Sequence, residues 1–82
     1  MRYRLVLANE AREQLRAMTD AHRRNIGQRL DALQNNLSGD VKKLSGREAK
    51  YRLRVGQFRM LFTLEQDLIF IYAVKDRKEA YD

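Results

Sequence analysis

The sequence predicts a single α+β domain of order β-α-α-β-β-β, in which two helices cover one face of a sheet. Three observations carry this reading. Apolar residues recur at spacings of three and four between Ala11 and Leu37, the period of helices with one buried side. They alternate at a spacing of two at residues 3–7 and again from Ala49 onward, the period of half-buried strands. The 82 residues contain no proline, no repeat and no low-complexity stretch, so no linker divides residues 1–82.

Each element has its own signal. Tyr3, Leu5 and Leu7 alternate with Arg2 and Arg4 as a short strand. Asn9 can cap a helix in which Ala11, Leu15 and Met18 share one side, and Thr19 or Asp20 can cap a second containing Ile26, Leu30, Leu33 and Leu37. Gly39 is a natural stop for that helix. The stretch from Ser38 to Glu48, with two glycines and mixed charge, reads as a connecting loop. Tyr51, Leu53 and Val55 then alternate with Lys50, Arg52 and Arg54, and Phe58, Met60, Phe62 and Leu64 continue the pattern beyond Gly56-Gln57. That is a two-residue hairpin with glycine at the first turn position, as a type II′ turn prefers. Leu68 to Val74 is apolar on both faces, as a central strand would be. The remaining residues form a polar tail apart from Ala80 and Tyr81.

Composition excludes several chemistries. Without cysteine there is no disulfide, no thiolate zinc site and no cysteine nucleophile. His22 has no carboxylate or second histidine at ligand spacing, so it reads as a surface histidine, and neither metal nor cofactor is expected. No apolar run approaches the roughly 18 residues of a membrane span, and the first residues do not read as a signal peptide. A soluble, cytoplasmic chain with no membrane partner is expected. Glu65 and Asp67 fall in an expected turn, where solvation explains them better than acid/base chemistry. Tyr3 and Tyr72 read as structural and Tyr51 as core, whereas Tyr81 closes a charged tail.

The charge is concentrated. Lysine and arginine number 17 against 11 acidic residues, a net charge of +6. Seven of those cations, Lys42, Lys43, Arg47, Lys50, Arg52, Arg54 and Arg59, lie between residues 42 and 59 with Glu48 alone against them, a surplus equal to the net charge. If Val55 and Phe58 flank the turn, Arg54 pairs with Arg59 across the strands and Arg52 lies opposite Leu61. All three guanidiniums then point to the face that the helices leave bare. Alternating cations ordinarily mean a solvated face or an edge guarded against aggregation. Like charges directly opposite cost about 0.2 to 1 kcal/mol, however, and a bound anion would relieve that repulsion. Charge focused in this way favours an anionic partner such as a nucleic-acid backbone.

The segments Lys43-Leu44-Ser45-Gly46, Tyr51-Arg52-Leu53-Arg54-Val55-Gly56-Gln57-Phe58-Arg59-Met60-Leu61-Phe62 and Asp76-Arg77-Lys78-Glu79-Ala80-Tyr81 resemble the RelE/ParE toxin superfamily of type II toxin-antitoxin modules. The resemblance spans nearly the whole chain. It implies two antiparallel helices on one face of a curved, mainly antiparallel sheet. Its RelE-like branch implies a ribosome-dependent mRNA endoribonuclease, an mRNA interferase that inhibits translation by attack of a 2′-hydroxyl on the adjacent phosphate. Carried over residue by residue, Arg59 matches the family's phosphate-clamping arginine, and Arg52 and Arg54 stand where the family often has lysines. Tyr81 matches a C-terminal tyrosine that stacks on a base or moves a proton, and either Lys75 or Arg77 matches the basic residue before it. The catalytic set implied is Arg52, Arg54, Arg59, Arg77 and Tyr81, with Lys42, Lys43, Arg47, Lys50 and Lys75 binding RNA. Arginine is a permanent cation, which suits Arg52 and Arg54 to charge stabilisation rather than proton transfer. The implied partners are the ribosome, its message and a small antitoxin, acidic where it meets the basic segment. The alternatives are a ParE-like, non-catalytic inhibitor of DNA gyrase and an inactive relative that only binds its antitoxin.

Overall fold

The structure, a computed structural model, describes residues 1–44 and 49–76. Its elements are β1 (Arg4–Leu7), α1 (Asn9–Arg16), α2 (Asp20–Leu33), β2 (Asp40–Lys43), β3 (Lys50–Val55), β4 (Phe58–Glu65) and β5 (Leu68–Asp76). The strands form one sheet in the order β1-β5-β4-β3-β2. Only β1 and β5 run parallel; the other neighbours are antiparallel. The expected elements follow one another in the expected order with one further strand, β2, and β5 is an interior strand, flanked by β1 and β4.

β2 lies inside the stretch expected to be a loop. Its sequence Asp-Val-Lys-Lys has one apolar residue and no alternation to read. Backbone pairing to β3 makes the strand, with Val41 opposite Leu53 on the core side. Gly39 leads into it at φ 125, where a Cβ would stand 2.9 Å from Leu53 Cδ1. The left-handed conformation calls for glycine there, and a Cβ would also force the Leu53 side chain to shift.

The helix ends also differ from expectation. Thr19 caps α2 by accepting from the His22 N–H at 3.2 Å, but Asn9 is the first residue of α1 and Ala8 precedes it without a side-chain cap. Arg23 instead serves the far end of α1, donating to the carbonyls of Arg16 and Met18 at 2.9 and 2.8 Å. α2 stops at Leu33, short of Leu37 and well before Gly39. The N-terminal chain competes for the next turn: the Tyr3 N–H donates to Gln34 O and the Asn36 N–H to Met1 O. Asn36 and Leu37 then take φ of 60 and 56, which reverses the chain.

The core lies between the helices and one sheet face. Ile26 and Leu33 of α2 meet Leu53, Met60, Phe62, Ile69 and Ile71 of the sheet, all fully buried. Tyr51 stacks on Phe62 at 5.4 Å, as its core-side position predicts. His22 is half-buried, and its ring lies 5.0 Å from that of Phe58 in a T-shaped arrangement. The Val74 N–H donates to Gln14 Oε1 at 2.7 Å and ties α1 to β5. Gly56 takes φ 57 and Gln57 does not take a positive φ, in line with a type II′ hairpin. No helix of the described residues is long and apolar enough to cross a membrane.

Candidate anion-binding face

Strand pairing sets out the face opposite the helices in rows. Asp40, Arg54, Arg59 and Lys75 form one row across β2, β3, β4 and β5. The next row is Lys42, Arg52, Leu61 and Ala73. Beyond it come Lys50, Thr63, Phe70 and Val6. The hairpin register puts Arg54 against Arg59 and Arg52 against Leu61, as the alternation requires.

The cations in these rows are not equivalent. Arg54 is exposed, Arg59 and Lys75 are half-buried, and none of the three has an ion-pair or hydrogen-bond partner among the described residues. At a strand spacing of about 4.8 Å their Cα atoms span roughly 10 Å across the sheet. Arg52 corrects the expectation of three open guanidiniums. It is only 8% exposed, and its guanidinium donates to Asp40 O at 3.0 Å and Asp40 Oδ1 at 3.2 Å. The carboxylate comes from the strand that sequence did not reveal, so its partnership with Arg52 was invisible too.

The remaining basic residues divide by face. Lys42 is exposed on the bare side, in the row of Arg52. Lys43 falls on the other side, where its ammonium stands 6.0 Å above the Tyr51 ring. That separates Lys43 from Lys42, its neighbour in the RNA-binding set that the resemblance implies. Lys50 is half-buried opposite Thr63. Arg47, Arg77 and Tyr81 lie outside the described residues.

The row of Arg54, Arg59 and Lys75 can bind and stabilise a phosphate. Guanidiniums offer planar, paired donors to its oxygens, and the ammonium adds a point charge. The row offers positive charge and hydrogen-bond donors, so its chemistry is electrostatic. At the opposite end of the sheet, the hydrogen bond from Arg4, aided by its charge, holds the Asp67 carboxyl below the usual carboxylate range. No metal-binding group of His, Cys, Asp or Glu occurs among the described residues.

No family model matches the chain. Over 48 residues, 58% of its length, the chain is 40% identical to Toxin RelE3 of Methanocaldococcus jannaschii, and this match spans about half of that relative, 54%. A crystal structure of a RelB-RelE antitoxin-toxin complex from Methanococcus jannaschii superposes with a TM-score of 0.77 at 30% identity, covering 94% of this chain and 95% of that one. The chain belongs to the RelE-like toxin superfamily. An archaeal RelE-RelB complex from Pyrococcus horikoshii gives a TM-score of 0.80 at 27% identity, over 98% of this RelE-like chain and all of that one. The shared fold has two helices against a five-stranded, mostly antiparallel open sheet.

Proposed function

We propose that this protein is the toxin of a type II toxin-antitoxin module and cuts messenger RNA on the ribosome. The observation that carries the reading is the pairing of Arg54 with Arg59 on the bare sheet face, extended by Lys75 and left without partners among the described residues. Membership of the RelE-like superfamily supports messenger RNA as the substrate class.

In the reaction, a ribose 2′-hydroxyl attacks the adjacent phosphorus, the bond to the 5′-oxygen breaks, and a 2′,3′-cyclic phosphate and a 5′-hydroxyl result. One proton leaves the 2′-oxygen and one reaches the 5′-oxygen. Negative charge grows on the non-bridging oxygens between those events, and cations already in place stabilise it without reorganising. Arg54, Arg59 and Lys75 serve that step. Arg52 holds β2 to β3 through Asp40 and acts on the substrate only through the placement of Arg54. Proton transfer falls to Tyr81 or to the ribosome, and the ribosome also aligns the 2′-oxygen for in-line attack. An antitoxin with an acidic segment would cover the same face.

The test is toeprinting of the purified protein on translating ribosomes, beside a gyrase supercoiling assay. Cuts confined to ribosome-bound message support the reading. Inhibition of supercoiling without cuts would assign the chain to gyrase instead.

A further inference from the structure

We infer that Tyr72 is a base-stacking residue that holds an unpaired nucleobase beside the Arg54–Arg59–Lys75 row; this rests on the RNA reading above and deepens it. The sequence alone suggests a structural tyrosine. The strand register gives it a different position. Leu61 pairs with Ala73 and Phe62 with Ile71, so Tyr72 is the extra residue of a β-bulge. Ile71 and Val74 are both buried in the core although they stand three residues apart. Strict alternation would have put one of them on the bare face. The bulge absorbs the mismatch and turns Tyr72 and Ala73 together toward that face, as bulges do when they re-aim a side chain. Packing agrees: Tyr3 and Tyr51 lie against the core cluster, and Tyr72 does not.

Its surroundings suit a base. Phe70, two residues back on β5, is 36% exposed, and Val6 beside it is 44% exposed. Lys75 follows three residues on, and Arg59 is its partner on β4. At a rise of about 3.3 Å per residue Tyr72 stands some 7–10 Å from Lys75, comparable to the reach from a phosphate to a neighbouring base. An aromatic strip bordered by cations is the pairing of features that single-stranded RNA uses, its backbone on the charges and its bases on the rings. A protein partner held by apolar contact alone would not account for the unpartnered cations at the strip's edge.

The experiment compares wild type, Tyr72→Phe and Tyr72→Leu in single-turnover cleavage of ribosome-bound message, with thermal melting to confirm that each variant folds. Stacking is lost in the leucine variant and kept in the phenylalanine variant. Tyr72→Leu should lower kcat/KM about tenfold through a higher KM, and Tyr72→Phe should recover most of that loss. A 2-aminopurine at the cut codon should be quenched by wild type and by Tyr72→Phe, and not by Tyr72→Leu. Equal kcat/KM in wild type and Tyr72→Leu overturns the stacking role while leaving the RNA reading intact. Loss of antitoxin capture with cleavage preserved would assign Tyr72 to a protein interface and overturn it as well. If wild type itself makes no cut, the RNA reading fails and the stacking role falls with it.

Discussion

At the β1 end of the bare face, Arg4 lies against Asp67 with three contacts of 3.1 to 3.3 Å, and nearby Arg2 reaches Asp31 and Asn35. At the β3–β4 end Arg54 faces Arg59, Arg59 faces Lys75, and the one carboxylate in that row, Asp40, is engaged by Arg52. The two ends share a sheet and a solvent. They differ in whether each cation has been given a counter-charge. Paired charges such as Arg4 and Asp67 are what a surface under no other demand tends to acquire, and they contribute little to stability. Adjacent cations on neighbouring strands oppose folding slightly, and they make sense where an anion completes the arrangement.

Making the basic end resemble the paired end should therefore have the largest effect. Lys75→Glu gives Arg59 a cross-strand partner; ribosome-dependent cleavage should fall about 100-fold, the scale of losing one preorganised charge contact. Stability should rise by about 0.2–1 kcal/mol in the same variant, read by urea denaturation. Activity and stability moving in opposite directions is the signature sought.

Asp40→Ala comes next. It removes the carboxylate from the buried Arg52 guanidinium and leaves it the residue 40 carbonyl as acceptor, and because the Asp40 side chain is 56% exposed, water replaces part of the lost contact. We expect a loss of about 1–2 kcal/mol in urea denaturation, below the cost of breaking a wholly buried pair. Asp40→Asn keeps the carbonyl acceptor for Arg52 and should lose less.

The smallest effect lies at Asp67. Its carboxyl is held below the usual range by the Arg4 hydrogen bond, so the folded state binds that proton less readily than the unfolded chain. The resulting stability is fully present above the ordinary carboxylate pKa and is lost as pH falls through the lowered value. Asp67→Asn should remove this small acid-side component from a plot of stability against pH and leave the neutral-pH cleavage rate as it was.

The contrast between the two ends was only half legible in the sequence. Alternation in β3 and β4, with Gly56-Gln57 between them, fixed the hairpin register and so the facing of Arg54 and Arg59. The same alternation made Arg52 look equally free. What removes Arg52 is Asp40, a residue on a strand too short and too polar to announce itself, since β2 exists by pairing to β3 rather than by any pattern of its own. For the same reason the sequence does not show that Lys42 and Lys43 go to opposite faces, as they do in a strand and need not in a loop. The end of α2 at Leu33 depends on the N-terminal residues returning to bond Gln34 and Asn36, a long-range contact that helix periodicity does not contain. Tyr72 escaped because a bulge breaks the period of two within a run that is apolar on both faces, where no period shows.

The most direct measurement is ribosome-dependent cleavage by Arg59→Ala beside Arg4→Ala, each checked for folding. Both remove one arginine from the same sheet. Arg59→Ala should lose about 100-fold or more in cleavage rate, and Arg4→Ala should keep the wild-type rate. Equal rates in the two variants would contradict the role proposed for the Arg54–Arg59–Lys75 row.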